Sequence, residues 1–406
     1  MPRTGLRFRP PRVDWTPELR WAFLRAFGPT GQAAPGLVTA PDAVSTARAF
    51  DLGPRIAART PFQVLQAELG DEAARELVIE GLMAEAVAER LLGFARTVAE
   101  VAAGVGTPLA FLKGTALRLQ GIGLPGGRWL GDVDALFPEA RVAAVDAALA
   151  RRGLLVEGFP PTEHHLPPRH TERGETVEMH FGLPGLRLGA GSSFATLDDL
   201  QAAGLLARVD GMPGECFVPL RDVLVAHALV HGIAQHGLAP GSYPMTRMLA
   251  DLTDLGFATG EDATVLDTVM SWIGGDVTRD EAEAARGLCA ALSAGDATLF
   301  ADDAGGRAEV TLLRHVVAGA SDATYERSLR TAALLSFPTG RSRAAASLRM
   351  VYETVVLSRA QIDVIYGPQN SWRGYLFRRL ARPFDLGWRL ARSLAAGIAV
   401  RSRRPT

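Results

Sequence analysis

Lysine is all but missing from this chain. Of 43 basic residues, 42 are arginine, and Lys113 in "FLKGTALRLQ" is the one lysine. Cysteine is nearly as scarce. Cys216 and Cys289 lie far apart without CxxC spacing, which excludes a thiolate metal cluster and a disulfide framework and suits buried thiols in a reducing compartment. A long hydrophobic run is lacking too: nothing approaches the ~18 consecutive apolar residues that span a bilayer. The basic N-terminus "MPRTGLRFRPPRVDW" has no apolar segment followed by a cleavage site, so the expected location is the cytoplasm, with any membrane contact peripheral. Charge of one sign is also absent overall. A formal net charge of −1 gives no global attraction to nucleic acid or membrane, so any such attraction must be local.

What is present describes a folded, helix-rich protein. Apolar residues make up 48% of the 406, and charged residues 21%. That length supports several cores. Residues 1–104 read as an N-terminal helical region. In "TPELRWAFLRAFG", Thr16 is an N-cap, Pro17 the first helical residue and Gly28 the terminator. A long amphipathic helix is expected from Asp71 to about Ala103, with Ile79, Met83, Val87, Leu91, Phe94, Val98 and Val101 on its packed face.

Residues 105–195 change character. "PLAFL" suits a buried strand, "KGT" a turn and "ALRLQG" a short helix, followed by the glycine-rich "GIGLPGGRWLG". "DVDALF", "LLVEGF" and "ETVEMHFG" read as strands, and "PEARVAAVDAALARRG" as a helix between Pro138 and Gly153. Interleaved strands and helices make this the expected core, a small mixed sheet in an α+β protein. Residues 196–370 return to helix, and 371–406 form a basic, aromatic tail.

The candidate chemistry lies in the core. Asp132 and Asp134, two apart on a strand, point to one side, where both carboxylates can bridge a divalent cation, and Glu178 on a later strand can supply a third. An oxygen-only set of this kind suits Mg²⁺ or Mn²⁺, ions that arrive with phosphates. Lys113 follows a strand and precedes Gly114 and Thr115, so an ammonium, an unhindered N–H and a hydroxyl can converge on a triphosphate. A compact point charge is not interchangeable with a planar guanidinium, which explains the lone lysine.

"FLKGTAL", then "RWLGDVDALF", a helix, "RRGL", a histidine-bearing loop and "VEMHFGL" resemble the nucleotidyltransferase-like family of the polymerase-beta superfamily, in the type found with bacterial biosynthetic clusters. The resemblance spans about 70–260, including the later "AHALVHG" and "RMLADLTDL". It implies that Asp132, Asp134 and Glu178 are the catalytic metal ligands, and that Lys113, Gly114 and Thr115 form the turn that holds nucleotide phosphates. The superfamily usually has Gly-Ser or Gly-Gly at this turn, and here it is Gly-Thr. Arg128 is a candidate second phosphate ligand, and His180, two residues after Glu178, a candidate to orient that carboxylate or touch substrate.

The expectation is therefore an Mg²⁺-dependent enzyme that moves a nucleoside monophosphate from an NTP to an unidentified acceptor. Kinase-like phosphoryl transfer and a non-catalytic nucleotide-binding scaffold are the alternatives. His164, His165 and His170 read as loop surface, His227 and His231 as packing residues, and Arg247 and Asp251 as an intrahelical ion pair. The tail 371–406 carries nine arginines against one acid, Asp385, interleaved with Trp372, Tyr375, Phe377, Phe384 and Trp388, with Pro383 dividing it. An anionic membrane or an intramolecular cap is favoured over nucleic acid as its partner.

Overall fold

A computed structural model describes residues 13–31, 38–156, 164–188, 194–235, 245–258, 263–273, 277–301, 306–321, 371–381 and 384. The chain divides into two compact units. The first joins Met1–Leu155 to Pro168–Ser336, and the second joins Val156–Pro167 to Phe337–Thr406.

The first unit opens with short helices: α1 (Pro17–Phe27), α2 (Ala40–Ala49), α3 (Gly53–Arg59) and α4 (Phe62–Leu69). The Thr16 hydroxyl accepts from Leu19 N at 3.2 Å, the expected cap. The long helix α5 (Asp71–Gly104) packs along α3 and α4. Its C-terminal half buries Leu91, Phe94, Val98 and Val101 as expected. The N-terminal half does not. There Ile79 and Met83 are each 54% exposed, and the buried face runs through Ala73, Ala74, Leu77, Gly81, Ala84 and Ala88. Small residues won because α3 comes close: a Cβ on Gly81 would lie 3.0 Å from the Cβ of Ala57.

The sheet follows. Strand β1 (Leu109–Phe111) runs into α6 (Lys113–Leu119), then β2 (Val133–Leu136), α7 (Glu139–Arg151), β3 (Leu155–Val156), β4 (Arg169–His170) and β5 (Thr176–His180). A small antiparallel pair, β6 (Leu183–Pro184) and β7 (Phe194–Ala195), precedes α8 (Leu197–Ala202), β8 (Leu206–Arg208) and β9 (Cys216–Pro219). The seven-stranded order is β3-β4-β5-β2-β1-β9-β8. It is mixed, with β1 antiparallel to β2 but parallel to β9, and β2 parallel to β5. This is the expected α+β architecture, with one difference: the sheet runs on past residue 195, because β8 and β9 return beside β1. Both are short, β8 is only half-covered, and neither shows the apolar alternation that marks a strand.

"KGT" is a helix start rather than a free turn. Leu112 is extended (φ −120°), and Lys113 turns the chain with a left-handed φ of +46°. Helix α9 (Arg221–Leu229) leads into a π-turn at Val230–Gln235, and α10 (Met245–Asp254) packs on α9. Helices α11 (Ala263–Trp272), α12 (Arg279–Ser293) and α13 (Ala308–Ser321) complete the unit. Both cysteines are buried thiols, as their spacing suggested. No helix among the described residues is long and apolar enough to cross a membrane. In the second unit, residues 372–381 are helical, while the expected helix out to about 366, Pro383 and Trp388 lie outside the described residues.

Candidate active site

Backbone pairing brings the site together. Asp134 lies opposite Glu178 in the parallel β2–β5 register, and Leu136 lies opposite His180. Residues two apart on β5 share a face, so Glu178 and His180 both reach toward Asp134. On the other side of β2, Leu112 N donates to Asp134 O at 3.0 Å, which sets Lys113 beside the same aspartate.

The side chains close the constellation. Lys113 Nζ lies 2.7 Å from Asp134 Oδ1 and 3.9 Å from Glu178 Oε2. His180 Nε2 lies 2.9 Å from Asp134 Oδ1 and 3.5 Å from Glu178 Oε2. His180 therefore meets Asp134 more closely than the Glu178 it was expected to orient. Ligand atoms of Asp134, Glu178 and His180 all fall within 4.8 Å of one another, close enough to hold a metal ion. Asp132 stands just before β2, outside this tight group, but within electrostatic reach of Asp134, Lys113 and Glu178.

Too many acids crowd around too little positive charge. Burial, then Asp134 and Glu178, push the Asp132 carboxyl up to about 7 against the pull of Lys113 and Arg128. Burial also works against Asp134, yet Lys113 and His180 hold it well below the ordinary carboxylate range. Glu178 is held low despite its burial, chiefly by the hydrogen bond from His180. Burial disfavours the charged forms of His180 and Lys113, and the surrounding carboxylates raise both above their ordinary values. A carboxyl driven to be neutral beside two ionised ones is what a site shaped for added cationic charge looks like. Hard oxygen donors with one imidazole fit a divalent ion of the Mg²⁺ or Mn²⁺ kind.

Asp132 gives a testable pH dependence. Its folded value of about 7 lies above the ordinary 3.8, so the folded chain keeps a proton that the unfolded chain has lost. Stability conferred by that proton is present at low pH and declines as pH rises from about 4 to about 7. In metal-free buffer, Asp132→Asn is expected to gain melting temperature relative to the parent steadily across that window. A difference between the two proteins that stays flat with pH would refute the assignment.

The turn after β1 is closely packed. A Cβ on Gly114 would lie 2.1 Å from Arg128 Nη1 and 2.4 Å from Leu130 Cδ2, so a side chain there would have to displace both. Thr115 is 2% exposed, and its Oγ1 is buried without a hydrogen-bond partner among the described residues. An orphaned buried hydroxyl at such a turn is unusual. Arg128, expected on a phosphate, forks onto helix α10, with Nε 2.7 Å from Asp251 Oδ1 and Nη2 3.0 Å from Asp251 Oδ2. This also corrects the expected Arg247–Asp251 pair, because Arg247 bonds Asp51 instead. The partner of Asp251 came from a loop 123 residues earlier, which helical spacing cannot reveal.

Sequence reasoning missed how close α9 lies. His227 and His231, ring centroids 5.8 Å apart, line a pocket with Lys113, Leu117, Leu224 and Asp251. Burial pushes His227 down to about 3, so it is a neutral imidazole there. Their one-turn spacing was visible, but the pocket arises only when α9 folds against α6. Of the loop histidines, His164 and His165 pack edge to face and His170 lies on β4.

No curated protein matches the chain. Among solved structures, the chain is similar to the antibiotic-resistance factor ANT(2'')-Ia, at 14% identity over 44% of this chain and 89% of that one, with a TM-score of 0.31. Residues 38–260, more than half of the chain and including every residue of the carboxylate and lysine constellation, match the family described as an uncharacterised nucleotidyltransferase, and the chain belongs to that family.

Proposed function

We propose that this protein transfers a nucleoside monophosphate from an NTP to an acceptor hydroxyl, phosphate or amine, with a divalent cation held by Asp132, Asp134 and Glu178. The observation that carries the reading is Lys113 Nζ on Asp134 Oδ1 at 2.7 Å, with His180 on the same oxygen and Glu178 within 4.8 Å as a third ligand atom. An ammonium among buried carboxylates stands where the cationic charge of a loaded nucleotide would be needed. Bound there, Mg²⁺ or Mn²⁺ would neutralise phosphate charge and polarise the α-phosphorus.

The chain's own residues supply the rest. Gly114 lets Arg128 and Leu130 pack onto the turn, and the unpaired Thr115 hydroxyl is the donor offered to the phosphates. Lys113 offsets charge on the departing pyrophosphate. The acceptor's oxygen or nitrogen forms the new bond to the α-phosphorus as the bond to pyrophosphate breaks. Its proton passes to Glu178, whose side chain is 26% exposed against 4% for Asp134. His180 keeps Asp134 and Glu178 oriented. Arg128 acts by fixing the glycine loop through Asp251. The pocket walled by Leu117, Leu224 and His227 is where the acceptor approaches.

NTP labelled separately on the α- and γ-phosphates tests this. With Mg²⁺ present, α-label is expected to appear in acceptor and γ-label in pyrophosphate. Transfer of γ-label to a product would favour kinase-like chemistry, and nucleotide binding without movement of either label would favour a scaffold.

A further inference from the structure

We propose that the helix at 372–381 is an interfacial anchor that lies on an anionic phospholipid surface. Trp372, Leu376 and Leu380 follow one another at four-residue steps in this helix, so they share a face. All three face water: Trp372 is 63% exposed, Leu376 46% and Leu380 65%, with Phe377 on the flank at 65%; Phe384, outside 372–381, is 80% exposed. Single exposed apolar residues need no explanation, but four on about three turns do.

Charge decides the partner. Residues 371–381 contain Arg373, Arg378 and Arg379 and no acid, and the wider tail has nine arginines against Asp385. Because the whole chain carries −1, the 370 residues before it are acidic overall. Arg373 lies with its guanidinium carbon 5.9 Å from the Trp372 ring centroid, a cation held beside an aromatic at the edge of the apolar face. A second copy of this helix would bring arginine against arginine. Single-stranded nucleic acid would stack on the aromatic rings but leave Leu376 and Leu380 in water. An anionic bilayer satisfies both halves, with hydrocarbon under the leucines and lipid phosphates round the arginines. The inference does not depend on the nucleotidyltransferase chemistry.

Flotation of the full-length chain with vesicles tests it. The chain is expected to float with phosphatidylcholine–phosphatidylglycerol vesicles, not with phosphatidylcholine alone, and to be released by high salt. Leu380→Glu is expected to weaken partitioning by at least about tenfold. Arg373→Gln should weaken it by roughly fivefold. Far-UV circular dichroism and a cooperative thermal melt report whether each variant is folded. Phe384→Ser serves as a further variant should Leu380→Glu fail that check. No flotation, flotation unchanged by the substitutions, equal binding to neutral vesicles, or a dimer abolished by Leu380→Glu would each overturn the proposal. So would single-stranded RNA binding that displaces the vesicles.

Discussion

Asp134→Asn is expected to abolish nucleotidyl transfer, lowering turnover by on the order of a thousandfold or more, as loss of a charge-stabilising group does in a preorganised site. One Asp134 oxygen accepts from both Lys113 and His180 while the side chain is 4% exposed. An amide at this position removes the charge that any cation needs and can turn an N–H toward the ammonium. Stability should fall as well, by roughly 3–5 kcal/mol, because a buried partner is left without its counter-charge. Combining Asp134→Asn with Lys113→Met separates the two effects. The double variant is expected to recover much of the stability in urea denaturation and none of the activity. A scaffold would function unchanged with Asp134→Asn.

Lys113 carries the second large effect. Lys113→Arg should reduce turnover by roughly a hundredfold with less change in KM, because a planar fork cannot replace a point charge between Asp134 and Glu178. The backbone adds an independent signature. At φ +46° this residue occupies a conformation that costs a non-glycine residue about 1–2 kcal/mol. Lys113→Gly and Lys113→Ala should therefore be equally inactive, while the glycine variant is the more stable by about 1 kcal/mol. Equal stabilities would show that the left-handed turn holds no strain. Activity that survives Lys113→Ala would remove the lysine from the mechanism.

Much of this site was legible in the sequence, because strand pairing and side-chain alternation are local rules. The two-residue spacing Glu178/His180 put that pair on one face, and the anomaly of a single lysine pointed to Lys113, while Asp132, expected on the strand with Asp134, stands just before β2. What stayed hidden depended on distant packing. Ile79 and Met83 looked like core because they are large and helically spaced, yet Gly81 and the alanines face α3. β8 and β9 carry too little apolar pattern to announce themselves and become strands by joining the β1 edge. The Arg128–Asp251 pair and the place of His227 beside Lys113 needed α9 and α10 folded against the sheet.

The guanidinium of Arg128 has two jobs at once: it fills the space over Gly114, and it grips Asp251, which itself lines the histidine pocket. Whatever enters that pocket presses on the carboxylate, and the carboxylate holds the side chain that roofs the glycine. Occupancy on the helical side is therefore expected to shift the Lys113–Gly114–Thr115 turn, so that under the proposed function acceptor and nucleotide would sense one another's arrival.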